Sequence, residues 1–342
     1  VTTGGAAGDW ASRYPHHPFH APLTIAPTET GAELALGVAA GLVADHIELV
    51  RTIRRATVLA RPPSDLPGRL ETIALLTWQD LTEAERASCT PLLLMANSAD
   101  LSGAGLGVLT RLLTSDLPIK VLLLDGRGDL NAVAEPSLVA LAHRSAYVAA
   151  VSVGHADHLG QAVRGAMQWA GPAFIHLHAP SPSVHGFPTH DSIDQARRAV
   201  ACRGHVLLTW DPSRDGNFGT KLSLDGNPEA DSTSFSEWAA TEARFGDPAL
   251  QPLIDRAAER RASIWSTFQE LTADDGASAA ETEREEAIAS MASEHERAIV
   301  ALKAEQVAAV SAAESGHDEL AVSRLTDRLM QLAGYADNGA SR

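Results

Sequence analysis

The 342-residue chain holds only two cysteines, Cys89 and Cys202, and no CxxC pair. Two thiols cannot build the disulfide framework of a small secreted domain, and they suit a reducing compartment. Without CxxC spacing the chain carries no iron–sulfur cluster. Basic residues are scarce as well, with 27 Lys and Arg against 43 Asp and Glu and a formal net charge of −16. That balance excludes a nucleic-acid backbone and an anionic membrane surface as partners, because both need clustered Lys and Arg. No apolar run approaches the ~20 residues that a membrane-spanning helix needs. Val1-Thr-Thr-Gly-Gly has neither the basic nor the apolar region of a signal peptide, so the cytoplasm is the expected compartment.

Hydrophobic residues make up 45% of the chain, enough for the core of one large domain or two ordinary ones. Residues 1–30 are rich in Gly, Pro, His and Thr and read as an irregular arm. Leu34, Val38, Leu42, Ile47, Val50 and Ile53 recur at helical spacing and predict a helix over 29–60, which Arg61-Pro-Pro-Ser64 stops. Thr72–Trp78 reads as a strand, and Leu81–Glu85 as a turn of helix with Thr82 as N-cap and Glu85 closing a capping box.

Two unbroken apolar runs follow, Pro91–Ala96 and Ile119–Asp125. Such runs read as parallel strands covered on both faces. Strands at 91–96, 119–125, 147–153, 173–178 and 205–210 alternate with helical patterns at 104–115, 134–143, 156–170 and 190–203. The alternation predicts an α/β domain with a parallel sheet and right-handed crossovers. Residues 212–248 read as irregular, with turns at Asp215-Gly216 and Asp225-Gly226. From residue 249 the chain is Ala- and Glu-rich and reads as a helical tail: one helix from Pro252 to about Leu271, a second from about Ala279 to Ser315 and a third at 318–333. In the second, Ile288, Ala292, His295, Ile299 and Leu302 form a partial seam, which reads either as a coiled-coil surface for self-association or a partner, or as a solvated helix. The expected parts are an N-terminal arm and helix at 1–65, an α/β domain at 66–248 and the tail at 249–342.

Ligands of such sheets sit at the carboxyl ends of the strands. Asn97, Ser98, Asp100, Gly126, Asp129 and Asn131 fall there. Gly103 and Gly105 open the helix after the first strand. Further along come Tyr147–Gly154, Ala173–His178, His185-Gly186, Val206–Pro212 and Phe235–Trp238. In order and spacing, over roughly residues 70–250, these segments resemble the thiamine-diphosphate-binding domain of the pyruvate:ferredoxin oxidoreductase family of 2-oxoacid oxidoreductases. In that family a strand ends in GDG, an LASG-like turn leads to a second strand ending in LDT, and an NTGGQ loop follows. Leu112–Pro118 and Val121–Asp125 fit the middle of this pattern.

The resemblance implies a three-layer parallel sheet of thiamine-diphosphate-binding type with an α-helical C-terminal tail. It implies thiamine diphosphate and Mg²⁺ as cofactors, with Asn97, Ser98, Asp100, Gly103, Gly126, Asp129, Asn131 and His185 around them. It implies oxidative decarboxylation of a 2-oxoacid such as pyruvate, with pyrimidine-binding and ferredoxin-like domains or subunits as partners in an oligomer, and a catalytic glutamate in one of them. The motifs depart from the family pattern. Ser98 stands where the GDG aspartate belongs, and the loop that ends in NTGGQ has become Asp125–Ala134, with only Asn131 retained. Mg²⁺ wants hard oxygen ligands, for which Asp100, Asp129 and Asn131 are the candidates.

Three other readings stay open. The domain serves assembly beside an intact catalytic subunit, its cofactor site degenerate. Alternatively, Gly103-Ala-Gly105 and the strand-end Asp125 form a dinucleotide site, although Gly107 falls one residue early for the third glycine. His176 and His178, two apart on one strand face, could also join His185 on zinc. A structural or substrate-facing role for these histidines is the expectation.

Overall fold

The computed structural model describes residues 1–3, 8, 23–26, 28–97, 104–125, 135–229 and 233–273. One compact unit runs from Val1 to Ala273, and a second holds Asp274–Arg342. The predicted helices at 279–315 and 318–333, with their seam, lie outside the described residues.

Eight strands form one sheet: β1 (Thr2–Thr3), β2 (Ile25–Ala26), β3 (Leu92–Asn97), β4 (Ile119–Asp125), β5 (Tyr147–Ser152), β6 (Ala173–His178), β7 (Leu208–Trp210) and β8 (Leu222–Ser223). Their spatial order is β2-β1-β3-β4-β6-β5-β7-β8. Pairing is parallel from β2 through β5. β7 and β8 add antiparallel ladders at one edge. The expected parallel strand at 205–210 is therefore a shorter, antiparallel one, paired with β8 in a segment that reads as irregular from its turn residues. The turns at Gly216 (φ 103°) and Gly226 (φ 90°) are present.

β4 lies between β3 and β6, in register with both. Alternation sends Leu94, Ala96, Val121, Leu123, Val148, Ala150 and Phe174 to one face. That face is covered by α1 (Thr28–Ala60), α4 (Ala104–Leu113), α5 (Pro136–Leu141) and α11 (Gln251–Thr272). On the other face Tyr147, Ala149, Val151 and Ile175 pack on Ala162 and Ala166 of α6 (Ala156–Gln168). The result is helices on both faces of a mostly parallel sheet, with two short helices, α9 (Phe218–Lys221) and α10 (Phe235–Ala239), between β7 and α11. Leu122 and Leu124, on the α6 side, are only partly buried and meet Met95, Leu93 and Leu23.

Thr72–Trp78 is not a strand. Asp65 caps a helix, α2 (Leu66–Ala74), by accepting from the Gly68 amide at 3.1 Å, with Pro67 in the first turn. A 3₁₀ turn over Trp78–Asp80 follows, closed by a Thr77/Asp80 capping box. Local capping outweighs the β-preference of Thr, Ile and Leu here. Trp78 and Leu81 then pack under Val43 and Val50 of α1. The Thr82/Glu85 capping box forms as expected and starts α3 (Glu83–Ala87). The helix at 251–272, which reads as the head of the tail, belongs to the α/β body. Ile254, Ala257 and Phe268 are buried, and Phe268 joins the main core, so the compact unit extends past residue 248.

Leu123 is fully buried at the centre of the sheet. Leu123→Ala is expected to cost about 2–5 kcal/mol in urea unfolding, as other core leucine truncations do. A cost under ~1 kcal/mol would place the residue outside the core.

Candidate functional site

The carboxyl ends of β4, β5 and β6 carry an unusual load of polar groups. Register sets Asp125, His178 and Ser152 side by side, and one layer below them Leu123, His176 and Ala150. All six point to the face that α5 and α11 cover. His176 sits at the centre. Its Nε2 lies 3.2 Å from Asp125 Oδ2, and its Nδ1 lies 3.4 Å from Glu135 Oε1 and 3.1 Å from the Ser137 hydroxyl. Glu135 precedes Pro136 at the start of α5, and Arg261 of α11 donates to its Oε2 at 2.8 Å. Two carboxylates thus face one imidazole and one guanidinium.

His205 enters from the turn after α8 (Ser192–Ala201). Its ring stacks on His178 at 5.0 Å and meets His176 edge-on at 5.1 Å. His178 Nδ1 is 3.4 Å from the Ser152 hydroxyl. A second buried group lies close enough for its charges to act on His178. There His185 Nδ1 is 3.2 Å from Glu242 Oε1, and Gln195 and Arg244 donate to the same carboxylate at 3.3 and 2.6 Å. His185 ends the short helix α7 (Pro182–His185), and Gly186 follows at φ 75°, where a Cβ would sit 2.6 Å from Ala243. Only glycine fits that close a left-handed turn.

Position decides the charge of each imidazole. Burial works against protonating His176, but the hydrogen bonds to Asp125 and Glu135 outweigh it and lift its pKa to about 9. Burial pushes His178 down to about 4, and Asp125 offsets only part of that. Burial, reinforced by the two neighbouring histidines, holds His205 well below the ordinary value. Burial also opposes charge on Asp125 and Glu135, yet bonding to His176 keeps both below the usual carboxylate range. One protonated imidazole beside two neutral ones is the state this geometry selects. Groups whose pKa values are driven apart in this way can divide proton donation and acceptance between them.

Of the residues expected around the cofactor, Asn97 and His185 are described. Ser98, Asp100, Gly103, Gly126, Asp129 and Asn131 lie outside the described residues. Asn97 ends β3 in register with Leu124 and Leu177, so it points to the sheet face opposite Asp125. His185 is buried with Glu242 as its partner. Asp125, the ribose acid of the dinucleotide reading, hydrogen-bonds His176 through Oδ2. The three-imidazole zinc set does not form, since His185 turns to Glu242 and both nitrogens of His176 are engaged. Among the described residues no group of three His, Cys, Asp or Glu side chains is placed to hold a metal ion. They do not supply a Mg²⁺ donor set by themselves; Asp100, Asp129 and Asn131 would have to complete it. No described helix is long and apolar enough to cross a membrane. A cleft of about 480 Å³ lined by Trp78, Arg86, Asp116, Trp169 and Asp211 opens at the amino ends of the strands, the end that ligands of parallel sheets avoid.

No family profile matches the chain. Over part of its length it is similar to subunits of 2-oxoacid oxidoreductases. It is 29% identical over 107 residues to ketoisovalerate oxidoreductase subunit VorB of Pyrococcus furiosus, covering 31% of this chain and 32% of that one. It is 33% identical over 81 residues to pyruvate synthase subunit PorB of Methanothermobacter thermautotrophicus, covering 24% and 27%. With PorB of Methanosarcina barkeri it shares 38% identity over 65 residues, 19% and 22% of the two chains. The chain thus spans about a third or less of the curated relatives it matches. A 2-oxoglutarate:ferredoxin oxidoreductase from Magnetococcus marinus aligns over 42% of this chain and 48% of its own, at 16% identity and a TM-score of 0.26.

The network sets the pH dependence of stability. His176 has a folded pKa of about 9 against an ordinary 6.5, so its contribution is full below about pH 6.5 and is lost as pH rises through 9. His178, with a folded pKa of about 4, acts oppositely: the unfolded chain takes up a proton first, and stability falls as pH drops from 6.5 toward 4. Urea midpoints should therefore peak near neutrality. His176→Gln should abolish the alkaline decline and, by leaving Asp125 without its cation and Glu135 with Arg261 alone, cost about 3–5 kcal/mol. An unchanged alkaline limb in that variant would show that His176 is not the group that titrates.

Proposed function

We propose that this chain is a thiamine-diphosphate-domain-like portion of a 2-oxoacid:ferredoxin oxidoreductase-like protein, working only together with partner domains. The observation that carries the reading is the partial similarity to VorB and PorB subunits, together with a parallel βαβ run whose polar residues gather at the strand ends. In this reading the partners hold the pyrimidine-binding surface, the catalytic glutamate and the iron–sulfur clusters. The complete assembly oxidatively decarboxylates a 2-oxoacid such as pyruvate. When bound, thiamine diphosphate would supply the carbanion chemistry. This chain's part would be to receive the diphosphate and Mg²⁺ at the ends of β3 and β4, through Asp100, Asp129 and Asn131. The imidazole–carboxylate network beneath would hold those strand ends rigid.

A specific observation favours a second reading, in which the cofactor site is degenerate and the domain serves assembly. Ser98 offers a neutral hydroxyl where the family has an acid, and Asp125, at the end of the next strand, is already hydrogen-bonded to His176. A neutral oxygen is a poor substitute when Mg²⁺ must give up water.

Calorimetric titration with thiamine diphosphate, with and without Mg²⁺, separates the two. The isolated chain is expected to bind weakly or not at all, and to show no pyruvate-dependent reduction of a viologen dye. Mg²⁺-dependent binding with a dissociation constant near ~1 μM, about −8 kcal/mol, and lost in Asp100→Ala, would sink the degenerate-site reading. Turnover by the isolated chain would overturn the division of labour between this chain and its partners.

A further inference from the structure

The two faces of the sheet have unequal cover. α1, α4, α5 and α11 lie over the first. On the second, α6 packs on β5 and β6. Over β3 and β4 this second face presents Leu93, Leu122 and Leu124, all only partly buried. Thr2 and Met95 point the same way, in register with each other and with Leu122. Yet they are 0 and 1% exposed. Something besides α6 therefore lies across this half of the sheet.

The hand of the chain identifies it. A strand–crossover–parallel strand unit within one sheet is right-handed. β2 to β3, β3 to β4 and β4 to β5 all step toward the β8 edge, and their helices α1, α4 and α5 lie on the first face. β5 to β6 steps back toward the β2 edge, and α6 lies on the second face. These four crossovers share one hand. β1 to β2 is also parallel and steps toward the β2 edge. Its connection, residues 4–24, therefore belongs on the second face. Two described residues of that connection agree. Ile25 is in register with Thr2, so it points to the second face, and a Cβ on Gly8 would lie 3.6 Å from Ile25 Cγ2. Leu23 packs on Met95.

We propose that the apolar patch of Leu93, Leu122 and Leu124 is the docking surface of the chain's own residues 9–22, which cover it with Trp10, Tyr14 and Phe19. The connection is tied beside the patch at both ends, by β1 and by Leu23. From β1 to β4 is about 10 Å at the spacing of neighbouring strands, well within the reach of such a segment. Its composition suits an apolar surface. Asp9 and Arg13 are the only Asp, Glu, Lys or Arg in it, and each aromatic ring can bury a large area. This half of the sheet is then interior to the chain, and a partner subunit would have to dock elsewhere. The inference does not depend on whether the cofactor site works.

Photo-crosslinking of the full chain is the test. Photo-methionine is close to methionine in shape, and at Met95 it reports on this face. Crosslinks from Met95 are expected to fall within residues 9–22 of the same chain. Crosslinks to residues 274–342 instead would overturn the proposal. So would crosslinks to a second copy, recognised in a mixture of isotope-labelled and unlabelled chains. A thiol readout is independent of the photochemistry. Cys89 and Cys202 are buried, so Leu122→Cys supplies the reporting thiol. Adding Trp10→Ser and Phe19→Ser should speed its reaction with a maleimide about tenfold or more by uncovering it, with an unchanged circular-dichroism spectrum. An unchanged rate would show that the segment does not cover Leu122.

Discussion

The pairing of His176 with Asp125 and Glu135 governs the carboxyl end of this sheet. Four ionised groups meet there, Asp125 from β4, Glu135 from the head of α5, His176 from β6 and Arg261 from α11, at separations of 2.8–3.4 Å. Each would be prohibitively costly to bury alone. Together they balance in sign, so each holds the other elements in place. This balance also explains why His178 and His205 stay neutral. With both carboxylates already matched by cations, a further buried proton has no counter-charge, and burial decides.

The same commitment limits chemistry at the strand ends. Asp125 Oδ2 lies 3.2 Å from His176 Nε2, so a ligand taking that oxygen would compete with the ion pair. Asn97, a residue equivalent in register to Leu124, looks toward the opposite face. Among the described residues, the polar groups at the end of the sheet therefore divide between the network on the α5/α11 side and Asn97 on the other.

The parts legible from the sequence were those set by local rules. β4 declares itself by a run of apolar residues that only two-sided cover can accommodate, and α1 by its spacing. The Thr82 cap follows from a four-residue motif. Thr72–Trp78 misleads because its composition favours a strand while Asp65, Pro67 and the Thr77/Asp80 box dictate helix and turn; the deciding residues flank the misread segment. β7 runs antiparallel to β5 and pairs with β8, which arises after a turn whose composition looks irregular. The site was legible only in half. His176, His178 and His185 stand out as a cluster in sequence, but Glu135, His205, Glu242 and Arg261 do not. They reach the cluster from 29 to 85 residues away from His176, and no spacing signals such convergence. A lone His205 at the start of an apolar run resembles any core histidine.

β4 also shows why an apolar strand can carry a charge at each end. Lys120 is buried near its amino end, where Nζ donates to the carbonyls of Trp169 and Gly171 at 2.5 and 2.7 Å, and burial draws its pKa down to about 8. Asp125 closes the other end on the opposite face of the sheet. A slip of one residue would turn Lys120 into the main core among Leu94, Leu123 and Phe174, away from its two carbonyls. It would turn Asp125 away from His176 in the same move. The intervening leucines and valine could tolerate the slip, since Val121, Leu122, Leu123 and Leu124 are apolar toward either face. The two charges, each partnered in one register, therefore specify a position for β4 that hydrophobicity alone leaves undetermined. The site at the strand ends inherits its geometry from that choice.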